Sequence, residues 1–110
     1  MKSEMLSANV AFPLMPEKSN ILACWDFELE KGETVAPHSH DDLEEIYIIL
    51  EGIGKMVVGE TINTVFAGDV IYIPPRSIHF LLNEVGGKVR SLTITCRALS
   101  PAQGPGEAKA

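Results

Sequence analysis

From residue 21 the chain alternates. In "ILACWDFELE", Ile21, Ala23, Trp25, Phe27 and Leu29 fall on one face of an extended strand, and Asp26, Glu28 and Glu30 on the other. The same short-period texture returns in "EIYIILEG", "KMVVGE", "TINTVFAG", "VIYIPP", "IHFLLN" and "KVRSLTITC", runs rich in the β-branched and aromatic residues that suit a pleated sheet. Between them Gly32, Gly52, Gly54, Gly59, Gly68, Pro74-Pro75 and Gly86-Gly87 punctuate the chain. The most helix-like stretch, "LEEIYIIL", has the isoleucine and tyrosine content of a strand. Many short strands with close-spaced turns predict an all-β sandwich or barrel.

The ends break this pattern. Residues 1–16 read as an N-terminal arm, residues 17–97 as the barrel, and "ALSPAQGPGEAKA" (98–110), made of small residues, prolines and glycines, as a flexible tail. At 110 residues a single domain is expected, burying roughly two thirds of the unfolded chain's surface. Fifteen acidic against nine basic side chains give a net charge of −6, with no basic cluster to attract nucleic acid or an anionic membrane. No run approaches the roughly 20 apolar residues of a membrane span, and Glu4, Asn9 and Pro13 interrupt any signal-peptide core. A cytoplasmic protein is expected. Cys24 and Cys96 match no Cys-x-x-Cys spacing and are read as thiols within strands.

Candidate chemistry lies in the histidines. Two of the three, His38 and His40, stand one residue apart in "APHSHDDLEE", and in extended chain they project to the same side. His79 follows the turn "PPRS" at the start of another strand, so a closed barrel can bring all three together. Glu45 and Glu44 follow the pair on opposite faces of a strand whose two faces are both apolar, and parity does not choose between them. Three imidazoles and a carboxylate suit one divalent transition-metal ion: Fe(II), Mn(II), Zn(II), Ni(II) or Cu(II). A closed structural zinc site would draw on cysteines instead. The competing readings are a solvated surface His-x-His and a metal-free cluster of histidine and glutamate.

These residues resemble the cupin family. Its first motif, G-x5-H-x-H-x4-E-x6-G, is met by Gly32, His38, His40, Glu45 and Gly52. Its second, G-x5-P-x-G-x2-H-x3-N, is met by Gly68, Pro74, His79 and Asn83, with Arg76 in place of the glycine. The resemblance implies a double-stranded β-helix, or jelly roll, with metal ligands His38, His40, Glu45 and His79. It leaves Glu44 as an outward or supporting residue. It also implies a homodimer formed through an N-terminal strand, a part residues 6–15 can play, and a metal-dependent enzyme for a small oxygen-rich molecule. Dioxygenase-type oxidation leads, with isomerase or lyase chemistry next. A non-catalytic barrel that binds a small molecule or senses a metal is the alternative. Tyr47, on Glu45's face, is a candidate hydrogen-bond donor to a bound oxygen, and Arg76 a candidate reader of an anionic substrate. Trp25, Phe27, Met56, Val58 and Leu81 are candidate pocket walls, whereas Asp41 and Asp42 read as a solvated turn.

Overall fold

Alternation needs a partner surface for its apolar side, and the chain supplies one by passing repeatedly between two sheets. The computed structural model describes residues 1–35 and 37–99. Among them the regular elements are eight strands: β1 (Lys2–Met5), β2 (Ile21–Leu29), β3 (Leu43–Glu51), β4 (Ile53–Val58), β5 (Thr61–Phe66), β6 (Val70–Ile73), β7 (His79–Leu82) and β8 (Val89–Arg97). One sheet runs β1-β2-β8-β3-β6 and the other β5-β4-β7, with every pairing antiparallel. The chain leaves the larger sheet at the β3–β4 turn, returns to it at β6, crosses again for β7 and comes back for β8. This is the double-stranded β-helix that the motifs imply.

The inner faces close on a single core. Phe27 and Leu29 of β2, Tyr47 and Ile49 of β3, Ile73 of β6 and Val89 of β8 meet Met56, Val65 and Leu81 from the smaller sheet. On β3 the question of parity is answered: Glu45, Tyr47 and Ile49 are buried, while Glu44, Ile46 and Ile48 face outward and are half-buried. Outside the barrel, Tyr72 donates its hydroxyl to Glu44 at 2.8 Å.

Two segments depart from the sequence reading. The arm begins with a strand, β1, paired to β2 at the edge of the larger sheet, while residues 6–15 carry no strand and turn through bonds such as Phe12 N to Asn9 O. The segment carrying His38 and His40 is not a regular strand either. It runs beside β7 through isolated bridges, Thr34 with Leu82 and His38 with His79, and Val35 N donates to Leu81 O at 3.1 Å. Proline has no N–H to give to a ladder, and Pro37 stands between the two bridges. Of the expected tail, Ala98 is tied to Asp42 through its N–H, and residues 100–110 lie outside the described residues.

Two motif residues serve the fold rather than the chemistry. Asn83, fully buried, donates from Nδ2 to Leu29 O (3.0 Å) and Gly87 O (2.7 Å), and its Oδ1 accepts from Gly86 N (3.2 Å). One amide thus satisfies three backbone groups, one at the end of β2 and two in the Gly86-Gly87 turn, as buried polar groups require. Gly52 turns the chain out of β3 with φ at 88°, and a Cβ there would stand 2.1 Å from the Lys88 carbonyl oxygen. Both the left-handed backbone and the contact demand glycine. Gly52→Ala should therefore destabilise the protein by about 2 kcal/mol or more. Denaturant melts check this, and an unchanged midpoint would refute the packing described for that turn.

Candidate metal centre

The two histidine segments meet through their backbones before their side chains. His38 N donates to His79 O (3.3 Å) and His79 N to His38 O (2.9 Å), so the residues face each other as an antiparallel pair. Their rings lie 4.2 Å apart between centroids, with His40 at 5.0 Å from His38 and 5.9 Å from His79. Glu45 reaches the group from β3 across the barrel, its Oε1 3.1 Å from His40 Nε2 and 3.5 Å from His79 Nε2. One ligand atom from each of His38, His40, Glu45 and His79 lies within 4.8 Å of all the others. All four residues expected from the sequence converge, and Glu44 points away.

The protonation pattern of His79 bears on what the cluster can hold. Its Nδ1 lies 3.0 Å from the Ser77 carbonyl, which only accepts, so Nδ1 carries the hydrogen and donates it. In the neutral ring Nε2 then presents a lone pair to the Glu45 carboxylate. That atom is buried and makes no hydrogen bond of normal geometry. Two acceptors facing each other out of water need a proton or a cation between them. The electrostatics of the pair agree. Burial pulls His79 down, yet the Glu45 carboxylate and the Ser77 carbonyl outweigh it, and its pKa is raised. Burial pushes Glu45 up, yet the neighbouring imidazoles, His79 foremost, leave it lowered. The donor set and this orphaned lone pair fit a divalent ion. A second-layer carbonyl fixing the ring is the usual partner of a metal-binding histidine.

Above the cluster opens a cavity of about 330 Å³. Trp25, Phe27, Val35 and Leu43 give it apolar walls, Tyr47 lies deep against His79, and the hydroxyls of Ser3, Thr93 and Thr95 supply the polar lining beyond the ligand set. Burial, followed by the charge of Glu45, pushes the Tyr47 hydroxyl well above its ordinary range, so it keeps its proton. Of the candidate walls, Trp25 and Phe27 take their places here. Met56 and Val58 line a different cavity with Thr61 and Asn63, and Leu81 is wholly inside the core. Arg76 is exposed and lies outside the cavity wall. Its N–H donates to His40 O (2.6 Å), and its guanidinium to Asp41 O (3.2 Å).

The sequence reading passed over Thr93 and Thr95. In "RSLTIT" the hydroxyl residues Ser91, Thr93 and Thr95 alternate with Leu92 and Ile94, a pattern ordinarily taken to put the polar side in water. The strand instead turns its hydroxyls inward, Thr93 opposite both Trp25 and Tyr47 and Thr95 opposite Glu45. The only available signal was that β8 is central in its sheet, which needs the topology.

The comparisons with known proteins follow the same lines. The model of the cupin domain family matches residues 25–95. Over 52 residues the chain is 44% identical to the uncharacterized protein MJ1618 of Methanocaldococcus jannaschii, a match covering 47% of this chain and 42% of that protein. Among solved structures, a predicted oxalate decarboxylase from Thermotoga maritima superposes with a TM-score of 0.72 at 24% identity, over 86% of this chain and 80% of its own. A cupin 2 conserved barrel domain protein from Salinispora arenicola gives 0.72 at 21% identity, over 88% and 76%. A cupin protein from Bacteroides fragilis gives 0.66 at 29% identity, over 71% and 67%. With the motifs, the barrel and the family model in agreement over most of its length, the chain belongs to the cupin family.

Proposed function

We propose that this chain is a metal-dependent enzyme acting on a small oxygen-rich molecule, with one divalent transition-metal ion per chain held by His38, His40, Glu45 and His79. The observation that carries the reading is the meeting of four ligand atoms within 4.8 Å at the floor of a cavity open to small molecules. Three neutral imidazoles and one carboxylate leave a divalent ion a net charge near +1. When bound, such an ion supplies a Lewis acid and a template for substrate oxygen or O2. The protein's own groups do the rest. Apolar walls exclude water, and Tyr47, which keeps its proton, offers a hydrogen bond to substrate rather than acting as a base. Glu45 is the only carboxylate among the described lining residues, and it belongs to the ligand set. Isomerase and lyase reactions need a group to move a proton, so their scarcity favours dioxygenase-type oxidation. Homodimerisation belongs to the same reading and is supported by the exposed side chains of Val10 and Phe12 on the arm.

Reloading stripped protein with Fe(II), Mn(II), Ni(II) or Zn(II), then following O2 uptake and turnover over diketones, phenols and sugar derivatives, tests the activity. Turnover with a redox-active metal is the expected result. Tight ligand binding without turnover under every metal would leave a carrier instead.

The ligand roles have a sharper test. Glu45→Gln should weaken metal affinity by about 100-fold or more, because loss of a ligand exceeds the effect of an outer-layer change. Glu44→Gln should leave it within about twofold, since Glu44 only accepts from Tyr72 outside the barrel. Metal titrations read both, and equal losses would refute the assignment.

Protons and metal compete for His79 Nε2. In metal-free protein the raised His79 contributes stability that is full below histidine's ordinary pKa of about 6.5 and fades as pH rises through its raised value. The lowered Glu45 contributes stability that is full above the ordinary glutamate value of about 4.3 and is lost as pH falls through its lowered one. Metal binding needs the deprotonated ring and so gains as pH rises. The difference in melting temperature between loaded and stripped protein should therefore widen from about pH 5 to about pH 8. A constant difference would show that His79 does not bind the ion.

A further inference from the structure

Among the described residues β1, β6 and β5 each end a sheet with an open edge, whereas the edge of β7 is covered by the loop that carries His38. An open edge is a row of unpaired N–H and C=O groups, which proteins ordinarily blunt with charge or by keeping the strand short. β1 carries Lys2 and Glu4, and β6 has only four residues. β5, "TINTVF", has six residues and no charge, proline or glycine among them. Two of its side chains, Ile62 at 60% and Phe66 at 51% exposure, stand in solvent on the outer face of the smaller sheet.

The backbone of β5 is set to receive another strand. Phe66 N donates to Asp69 Oδ2 (2.7 Å) and Phe66 O accepts from Asp69 N (3.0 Å), so this residue turns its groups away from β4. Such groups alternate along an antiparallel ladder, and the β4–β5 register runs without a bulge, so Ile62 and Thr64 face the open side as well. A two-fold axis at Asn63 pairs Ile62 of each copy with Thr64 of the other, each pair exchanging N–H and C=O. The two Asn63 side chains then meet at a cavity of about 300 Å³ between β5 and β6, which Asn63 lines with Val65 and Ile71. Opposed residues share parity, so the outer rows join: Lys55 and Thr64 of one copy continue into Ile62 and Val57 of the other.

Charge selects the occupant. Each copy carries a net −6, which opposes most approaches between two copies, yet nothing charged lies in Thr61–Phe66. The nearest charge on the outer face is Lys55, beside Thr64 and 3.3 Å from Glu84. The same register brings Glu60 of the second copy onto that face, about 12 Å from Lys55 between Cα atoms by strand spacing. Opposite charges thus flank an uncharged seam. A contact of this symmetry closes at two copies. One strand edge covers less than the roughly 800 Å² per partner of a standard interface, so the association is reversible.

We propose that a second copy of this chain docks on β5, antiparallel about a two-fold axis at Asn63, and joins the two smaller sheets into one. The surface is distinct from the arm of residues 6–15, and the proposal does not use the metal.

Sedimentation equilibrium of the full-length protein, metal-loaded and metal-stripped alike, tests it. A monomer–dimer equilibrium with a dissociation constant of about 1–100 μM is expected in both states, so this proposal and the metal reading fail separately. Ile62→Lys should raise that constant at least about tenfold by charging the edge, with the melting temperature within a few degrees of the parent because the residue is exposed. Val10→Asp on the arm should leave it within about twofold. Under mild oxidation Asn63→Cys should bridge two copies, because opposed residues of a non-hydrogen-bonded pair have Cα atoms about 4.5 Å apart. Thr64→Cys should not, its two copies standing about 8 Å apart. Peptide mapping separates that bridge from any made by Cys24 or Cys96. Monomer at every concentration overturns the proposal and leaves the edge to a different chain. A dimer weakened by Val10→Asp and not by Ile62→Lys overturns it in favour of the arm, and bridging of Thr64→Cys in preference to Asn63→Cys overturns the register.

Discussion

The pair of backbone hydrogen bonds between His38 and His79 is the joint on which the site depends. The two residues are separated by the whole of β3, β4, β5 and β6, and no local preference of either segment brings them together. The joint is possible because the loop after Gly32 lies along the free side of β7 and borrows its N–H and C=O groups at three places: Asn83 with Glu33 and Gly32, Leu81 with Val35, and His79 with His38. A loop laid against a strand edge also covers that edge, which an open sheet would otherwise present to other chains. The arrangement that protects the smaller sheet is therefore the one that assembles three imidazoles.

Once assembled, the cluster is electrostatically incomplete by itself. Glu45 is held 7% exposed among imidazoles, one of which has its hydrogen committed to the Ser77 carbonyl on the far side. A carboxylate and a ring lone pair, both turned inward, offer good donors to a cation and poor company to each other. Such local conflict in an otherwise consistent fold is expected where function is carried, because packing of the surrounding core holds the groups in place against it. The core residues beside them, Tyr47 and Ile49 on the same strand and Leu81 on β7, supply that hold.

The outline of the fold and the identity of the cluster were legible in the chain, for a physical reason. Period-two alternation records which side of a strand is buried, and the histidine and glutamate spacings match a pattern whose geometry is fixed by the barrel. Parity alone failed at Glu44 and Glu45, since β3 is apolar on both faces, and only the family resemblance, later matched by burial, chose between them. What stayed hidden depended on neighbours far away in the sequence. Met56 and Val58 have the right composition for pocket walls but belong to another cavity, and Leu81 is core. Thr93 and Thr95 were passed over because a polar face usually meets water, and here the polar face meets a cavity. The short strand β1 fell within the N-terminal arm and was not singled out as a strand, for "KSEM" carries no alternation and is held by pairing with β2.

Arg76 shows how a departure from the family pattern can be absorbed without disturbing the ligands. Its φ of 65° lies in the left-handed region, where a side chain costs about 1 kcal/mol relative to glycine. The same residue donates its N–H to His40 O and its guanidinium to Asp41 O, so the turn before His79 is bonded to the loop that carries His40. Glycine at this position could supply only the first of those bonds. The strain is thus spent on bracing one motif against the other, and it falls outside the cavity, where a fixed cation would have changed which anions the metal centre can accept. Placing the positive charge on the outer side of the loop keeps the interior apolar while still tying together the two segments whose meeting defines the site.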